Sequence, residues 1–506
     1  MASSMSVALP QLHPGQQAQQ PTLRRRRIGL AALTFGATAI VLDALGSGTP
    51  SLWGDEAASV LSAERPLPSL FRMLGHVDAV HGTFYLFLHF WIEIFGASPV
   101  SVRFPSAIAG GIAVAGVIYL GALIGGRRMA LAAGAVALVL PRFTYMGAES
   151  RGYAMSAALA VWTTYLLARL ITSSTSSRGW WVLYAAGMAL STYVFLFSVL
   201  LLPAHLLAVA WIDRRRSIRP WLFAVGAVLV VASPVIVYGI GERSQIGFLS
   251  ARTAATFISA TVTPWFGTEP MAIASWTVIC AAAVLVVVSR RRGPLPTHLR
   301  LVVVCGAWLI VPGAILLSVN IVHAVYSSRY LTFCAPAAAL VIGWVVAQLR
   351  PRAVAVVALV AIGALALPSY LSQRTPFAEN NSDWSEDAAV IAAHASPGDG
   401  VLFDEATRPS LRPRLSMRIY PAAYAGLQDI AIKSPWWQTD GWRDSTWPLA
   451  SVEGRLLGID TVWIIEYKAA GQPADTYDLA TMANQGFTVA ARYVEHRSEV
   501  LELQRN

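Results

Sequence analysis

The chain has 506 residues and a net charge of +10, with 55% hydrophobic residues and only 13% charged ones. A soluble fold of this length exposes too much surface to carry so little charge, so an ordinary soluble protein is excluded. The arginines sit in short clusters between apolar runs, the pattern of cytoplasmic loops, which argues against a nucleic-acid partner.

The first 27 residues are polar, rich in Gln, Ser and Pro, and end in Arg24 to Arg27. They read as a disordered cytoplasmic tail. Residues 28–46 follow as an apolar run with no small-residue cleavage site, so they read as an uncleaved first helix. Further runs of membrane length cover 103–124, 129–146, 153–171, 180–196, 197–212, 221–240, 271–289, 299–319, 330–349 and 353–370. Cys280, Cys305 and Cys334 all fall within these runs, so neither a disulfide nor thiol chemistry is expected. The expected fold is a polytopic α-helical membrane protein with about eleven transmembrane helices.

Residues 84–95 are apolar but too short to cross hydrocarbon, and they carry His89 and Glu93. Charge parity decides their fate. If they do not span, every downstream arginine cluster shares a side with Arg24 to Arg27; if they span, all of those clusters flip outside. Residues 84–95 therefore read as a juxtamembrane helix, and the outer face receives 47–102, 147–152, 241–270, 323–329 and everything after Tyr370.

After Tyr370 the long apolar runs end and Asp, Glu, Asn, Pro and Trp appear. Residues 385–394 read as an amphipathic helix, and 401–403, 461–466 and 487–493 as strands. This implies three regions: the tail 1–27, a transmembrane catalytic domain 28–370, and a small extracytoplasmic α/β domain 371–506. The protein is expected in the cytoplasmic membrane, with its N-terminus inside and its C-terminal domain outside.

The outer face collects the charged residues of interest. Asp55 and Glu56 lie just past the first span, followed by Asp78 and His81, with Arg103 opening the second span. Asp55 fits either a helix cap or a general base that takes a proton from a hydroxyl. Glu149 and Arg151 occupy the next outer turn, before Tyr153, and they fit either a weak surface pair or a phosphate-binding guanidinium beside a carboxylate. Arg329 and Tyr330 precede the tenth span, where a snorkelling Arg and an interfacial aromatic are the plainer alternative. Asp43, near the end of the first span, is an intramembrane carboxylate or one that reaches the interface. Carboxylates, a His and arginines on one membrane face suit a sugar carried on a lipid phosphate. No phosphate-binding loop, dinucleotide fingerprint, zinc-ligand spacing or nucleophilic-serine elbow is present.

In these segments the chain resembles the GT-C superfamily, in particular protein O-mannosyltransferase-like enzymes and bacterial lipid-sugar transferases. The pieces that carry the likeness are Leu52-Trp53-Gly54-Asp55-Glu56-Ala57, Asp78-Ala79-Val80-His81-Gly82 and residues 85–96. They continue in Arg103-Phe104-Pro105-Ser106-Ala107, Glu149-Ser150-Arg151-Gly152-Tyr153-Ala154 and Ser328-Arg329-Tyr330-Leu331. The resemblance implies an inverting transfer of sugar from a polyprenyl-phosphate carrier. It assigns Asp55 as catalytic carboxylate, with Glu56 and Glu149 as supporting acids. Asp78, His81, Arg103, Arg151, Tyr153, Arg329 and Tyr330 would then contact substrate, with an architectural role equally open for Arg103. Many relatives carry two prolines where this chain has Gly82-Thr83, which bears on substrate identity more than on reaction type.

The expected activity is transfer of mannose to a hydroxyl of a cell-envelope glycan, glycolipid or protein. A pentose such as arabinose is the nearest alternative within the class. A lipid-linked-sugar transporter is a different class, but it would concentrate its charges at midplane in related halves, and no repeat is visible. The expected partners are the lipid-linked donor, its acceptor and membrane lipid. A lipid phosphate leaves without a nucleotide, so the chemistry requires no metal cofactor, though it is compatible with a divalent ion. A reporter fused after Leu371 is expected to be extracytoplasmic, and a cytoplasmic reporter would break the parity argument.

Overall fold

The computed structural model describes residues 14–173, 177–242, 245, 249, 256–468 and 477–506. The first helix, α1 (Pro14–Ala44), begins inside the expected tail, so that segment is helical from Pro14 onward; residues 1–13 lie outside the described set. Three shorter helices follow between the first two spans: α2 (Gly54–Ala63), α3 (Leu67–Leu74) and α4 (Gly82–Phe95). In α4 the spacing of Phe84, Tyr85 and Leu88 buries one face, while Phe87, Phe90 and Ile94 stay exposed on the other. Such a helix suits a membrane interface, with one face on protein and one on lipid.

The next helix, α5 (Pro99–Val139), contains the expected span 103–124 and the first part of the span expected at 129–146, and it breaks where Gly126 adopts a φ of 72°. That left-handed conformation is inexpensive only for glycine. The chain folds back on itself there: a Cβ on Gly121 would lie 3.1 Å from the Ala130 Cα, and one on Gly134 2.3 Å from Ile118 Cδ1. Small residues thus let the two halves pack as a close antiparallel hairpin. The helical body continues through α6 (Pro141–Met146), α7 (Tyr153–Thr172), α8 (Arg178–Val194), α9 (Leu202–Ile212) and α10 (Arg214–Gly241). After the short α11 (Phe257–Thr261) come α12 (Glu269–Arg291), α13 (Thr297–Asn320), α14 (Ala335–Gln348) and α15 (Arg352–Ser372).

Among the described residues, eight helices are long and apolar enough to cross a membrane. The sequence reading of about eleven separates the halves of α5 and adds two shorter segments. These are α8, with 17 residues, and the apolar stretch 196–212 that ends in α9. The protein is a multi-pass helical membrane protein with a main core between helices, where Val114, Val117, Leu120, Val161 and Leu340 meet.

The region after α15 is a mixed sheet with helices. It contains α16 (Trp384–His394), β1 (Gly400–Phe403), α17 (Arg414–Ile419), β2 (Gln428–Asp429), β3 (Ile432–Ser434) and β4 (Ser445–Thr446). It ends with β5 (Thr461–Tyr467), α18 (Tyr477–Asn484), β6 (Phe487–Val494) and β7 (Ser498–Arg505). The main sheet runs β2-β1-β5-β7-β6, with β1 parallel to β5 and β7 antiparallel to both β5 and β6. Strand β5 is buried on both faces. Val462 and Ile464 enter one core, while Trp463 and Ile465 enter the other, which explains its unbroken apolar run. The sequence reading finds β1, β5 and β6 but omits β7, whose Glu499 and Glu502 mask its register.

A further core is shared between regions distant in sequence. Leu52, Leu61, Leu70, Phe84 and Leu88 from the first loop pack with Trp384, Leu415 and Ile419 from the C-terminal region. Arg65 locks this junction. It is fully buried and donates to the carbonyls of Trp436, Thr439 and Gly441. Trp436 Nε1 returns a bond of 2.9 Å to the Leu61 carbonyl. Replacing Arg65 by Ala removes three charge-assisted hydrogen bonds, leaving Thr439 to satisfy the Trp436 and Gly441 carbonyls, and is expected to cost about 3 kcal/mol. Limited proteolysis should then cut faster between residues 372 and 383, with a lower melting temperature in detergent.

Candidate functional site

The site begins at the first turn of α2. Trp53 takes the cap position in an extended conformation and provides no side-chain cap. Asp55 is therefore one residue inside the helix, and its carboxylate is free to point away from the backbone. Its Oδ2 lies 2.5 Å from Arg329 Nη1. The Arg329 guanidinium also sits over the Trp53 ring, 5.0 Å from its centroid. Both members of the pair stay partly open, with Asp55 29% and Arg329 20% exposed by side chain.

Glu56 points the opposite way and is fully buried. Arg103 grips it with two parallel bonds, Nε to Oε1 at 2.7 Å and Nη2 to Oε2 at 2.5 Å. The remaining Arg103 donors reach the carbonyls of Ser47, Pro50 and Ser51, and Glu56 Oε1 accepts from the Ser150 amide at 2.8 Å. Every polar atom of this pair is engaged inside the protein. The acidic couple of the sequence is thus split between an open carboxylate and a closed one.

The turn 147–152 is buried throughout. Gly147 is required there because a Cβ would come within 2.0 Å of Asp43 Oδ2. Glu149 and Arg151 do not pair with each other. Arg151 donates to the Asp55 carbonyl, Ser59 Oγ and Tyr85 OH, each at 3.2 Å, and approaches His81 Nε2 at 3.0 Å. A guanidinium can only donate, so His81 accepts at Nε2 and is neutral, with its proton on Nδ1. Glu149 is fully buried, 4.0 Å from Arg329, and neither of its oxygens accepts a hydrogen bond from a described residue.

Asp78 adopts a left-handed conformation with φ 58° before the 3₁₀ turn Ala79–His81. Its Oδ2 accepts from Tyr85 OH at 3.0 Å, which continues the chain of contacts to Arg151. Glu242 caps the turn through the Ala79 amide at 3.1 Å. Tyr330 stacks on Phe197 at 4.7 Å between centroids, and Tyr153 meets Phe195 edge-on at 5.5 Å. These rings wall the site on the Arg329 side.

The structure therefore gathers Asp55, Asp78, His81, Glu149, Arg151 and Arg329 into one connected cluster. Glu56 and Arg103 lie beneath it as a clamp, and Tyr153 and Tyr330 flank it. Sequence reasoning did not assign roles to Tyr85, Ser59 or Trp53. Tyr85 is four residues after His81 and Ser59 four after Asp55, so helical spacing is the signal that locates both.

Comparison with known proteins follows from this geometry. Residues 83–238 match the dolichyl-phosphate-mannose-protein mannosyltransferase family. ArnT from Cupriavidus metallidurans, solved with undecaprenyl phosphate bound, aligns over 93% of this chain and 97% of its own, with a TM-score of 0.59 and 14% identity. Arabinofuranosyltransferase AftD from Mycobacteria aligns over 93% of this chain and 41% of its own, with a TM-score of 0.50 and 16% identity. No curated protein sequence matches the chain. The chain has the GT-C fold.

Within this GT-C fold the carboxylates of the cluster are tuned apart. Burial works to raise the Asp55 carboxyl, but Arg329 and Arg151 outweigh it and hold Asp55 below its ordinary value. Burial pushes Asp78 up against the pull of Arg151. Burial likewise pushes Glu149 up to about 7, opposed by Arg329 and reinforced by Glu56 and Asp55. Near neutral pH, Asp55 is ionised while Glu149 is poised to hold a proton, the separation useful to acid–base work.

The native state keeps the Glu149 proton up to about pH 7, whereas an ordinary Glu carboxyl releases it near 4.5. The stability it contributes is full below the lower value and lost as pH rises through the higher one. Thermal melts of detergent-solubilised protein should show this decline, and Glu149→Gln should flatten it.

Proposed function

We propose that the chain is an inverting glycosyltransferase that moves a sugar, most simply mannose, from a polyprenyl-phosphate carrier to an acceptor hydroxyl at the outer face of the cytoplasmic membrane. The observation that carries this reading is the Asp55–Arg329 contact at 2.5 Å, beside a second buried guanidinium, Arg151. The pair joins a carboxylate able to accept a proton to a cation able to receive a phosphate.

In the reaction, the acceptor oxygen attacks the anomeric carbon from the face opposite the phosphate. Its proton passes to Asp55 as the new glycosidic bond forms. The bond from the anomeric carbon to phosphate oxygen breaks with its electron pair, releasing the polyprenyl phosphate. Arg329 balances Asp55 before donor arrives. The donor phosphate offers Arg329 a different anion and leaves Asp55 free to act as base. Arg151 orients the Asp55 backbone and His81, while Glu149 supplies a proton-bearing neighbour to the phosphate side. Glu56 and Arg103 position rather than react, because their bonding capacity is spent on each other and on the backbone.

Mannose is supported by the family matched over residues 83–238. The arabinofuranosyltransferase likeness keeps a pentose on the same carrier as the second reading. Membranes supplied with radiolabelled polyprenyl-phosphate mannose should label an acceptor, and the pentose-bearing carrier should compete poorly. Asp55→Asn is expected to lower transfer by roughly 10²–10⁴-fold with the protein still inserted and folded. Undiminished transfer by that variant would remove Asp55 as the base.

A further inference from the structure

Arg329 is carried by a stretch of backbone that supports itself poorly. Residues Ser328–Cys334 form a 3₁₀ run of 7 residues. Such runs rarely exceed about four residues, because their hydrogen bonds are poorly aligned. A run this long draws its support from outside itself.

Two hydrogen bonds from other parts of the chain bracket Arg329. Three residues before it, Tyr326 OH donates to the Ser259 carbonyl at 2.6 Å. Two residues after it, Trp265 Nε1 donates to the Leu331 carbonyl at 3.2 Å. Both bonds lead to one stretch, residues 259–265, and both aromatic side chains are buried.

That stretch is itself anchored on α6. Arg142 donates through Nε to the Pro264 carbonyl at 2.7 Å and through Nη2 to the Thr263 carbonyl at 2.6 Å. Its backbone amide reaches the Trp265 carbonyl at 3.2 Å. Trp276 of α12 donates to the Thr261 carbonyl at 2.8 Å and meets Trp265 and Phe266 edge-on. Gly267 follows with φ 71°, where a Cβ would lie 2.7 Å from Ser369 Oγ. Since α6 runs into the turn that presents Glu149 and Arg151, residues 259–265 join that turn to the segment bearing Arg329.

The guanidinium of Arg329 bonds Asp55 through Nη1, while Nε and Nη2 have no hydrogen-bond partner among the described residues. A planar fork offering two N–H groups to a phosphate tolerates little displacement of the backbone behind it. We propose that Trp265 and Tyr326 are positioning residues for the donor. They fasten the Arg329 segment to the anchored stretch 259–265, and so hold the guanidinium where the lipid phosphate arrives. This role rests on the reading of Arg329 as the phosphate-binding cation.

Isothermal titration calorimetry with undecaprenyl phosphate, on full-length protein in detergent, reads affinity and number of sites separately. Trp265→Phe and Tyr326→Phe each keep an aromatic ring and remove one hydrogen bond. Each should raise the Kd roughly threefold, and the double variant roughly tenfold, with the number of sites retained. Contacts that merely stabilise the fold would instead lower the number of competent sites and leave the Kd alone, and that result would overturn the role. Trp162→Phe removes an indole bond of the same kind, to the Ile112 carbonyl, and should leave the Kd unchanged. An unchanged Kd in the double variant, or an equal rise in Trp162→Phe, would also overturn the role while leaving the donor reading intact. Absence of binding by the wild type would overturn the donor reading and the role with it. Tyr326→Phe loses only a hydroxyl and keeps the comparison valid if Trp265→Phe unfolds.

Discussion

The cluster around Asp55 depends on the buried pair between Glu56 and Arg103. Two charges out of water are stabilising only when geometry is good and the leftover donors and acceptors are satisfied. Here the pairing is bidentate, three backbone carbonyls take further Arg103 donors, and the Ser150 amide takes a Glu56 oxygen. One contact set therefore ties the end of the first span, the start of α2, the start of α5 and the turn 147–152. Removing either partner alone would leave a charge buried without its counterpart, a loss of about 3–5 kcal/mol in comparable sites.

That clamp explains how adjacent acids acquire different behaviour. Successive residues on a helix point about a quarter-turn or more apart. Once Glu56 is drawn inward, Asp55 is turned toward Arg329 and the open side of the cluster. The same clamp holds the turn that presents Glu149 and Arg151. Glu149 is set among carboxylates and receives no hydrogen bond from a described residue, so burial dominates it; Asp55 touches a guanidinium, so charge dominates there. Two carboxylates separated in proton affinity are a functional arrangement, because one is ready to accept a proton while the other keeps one.

The C-terminal region is more than an appendage. Its helices complete the core of the first loop, its segment 408–412 lies on the start of α2, and its turn 436–444 is held to the first loop by Arg65. The loop between the first two spans buries part of its apolar surface against the C-terminal region. Partnering it with Trp384, Leu415 and Ile419 makes a rigid base for α2. A site built on such a base holds its charged side chains in place more firmly than a free loop does.

Membrane character, the main helices, the short apolar helix α4, and the strands β1, β5 and β6 were legible in the sequence. Each rests on hydrophobic period or run length, which are local properties. So were Asp55, Glu149, Arg151 and Arg329 as charged groups near membrane boundaries, since charge beside an apolar run is conspicuous. The sequence could not decide between a cap and an exposed carboxylate for Asp55, nor between a surface pair and separate partners for Glu149 and Arg151. Only the tertiary structure did, because those answers depend on residues as far apart as Asp55 and Arg329, or Arg65 and Trp436. Hydrogen bonds and ion pairs are short-ranged and directional, so their partners are chosen by how distant segments pack.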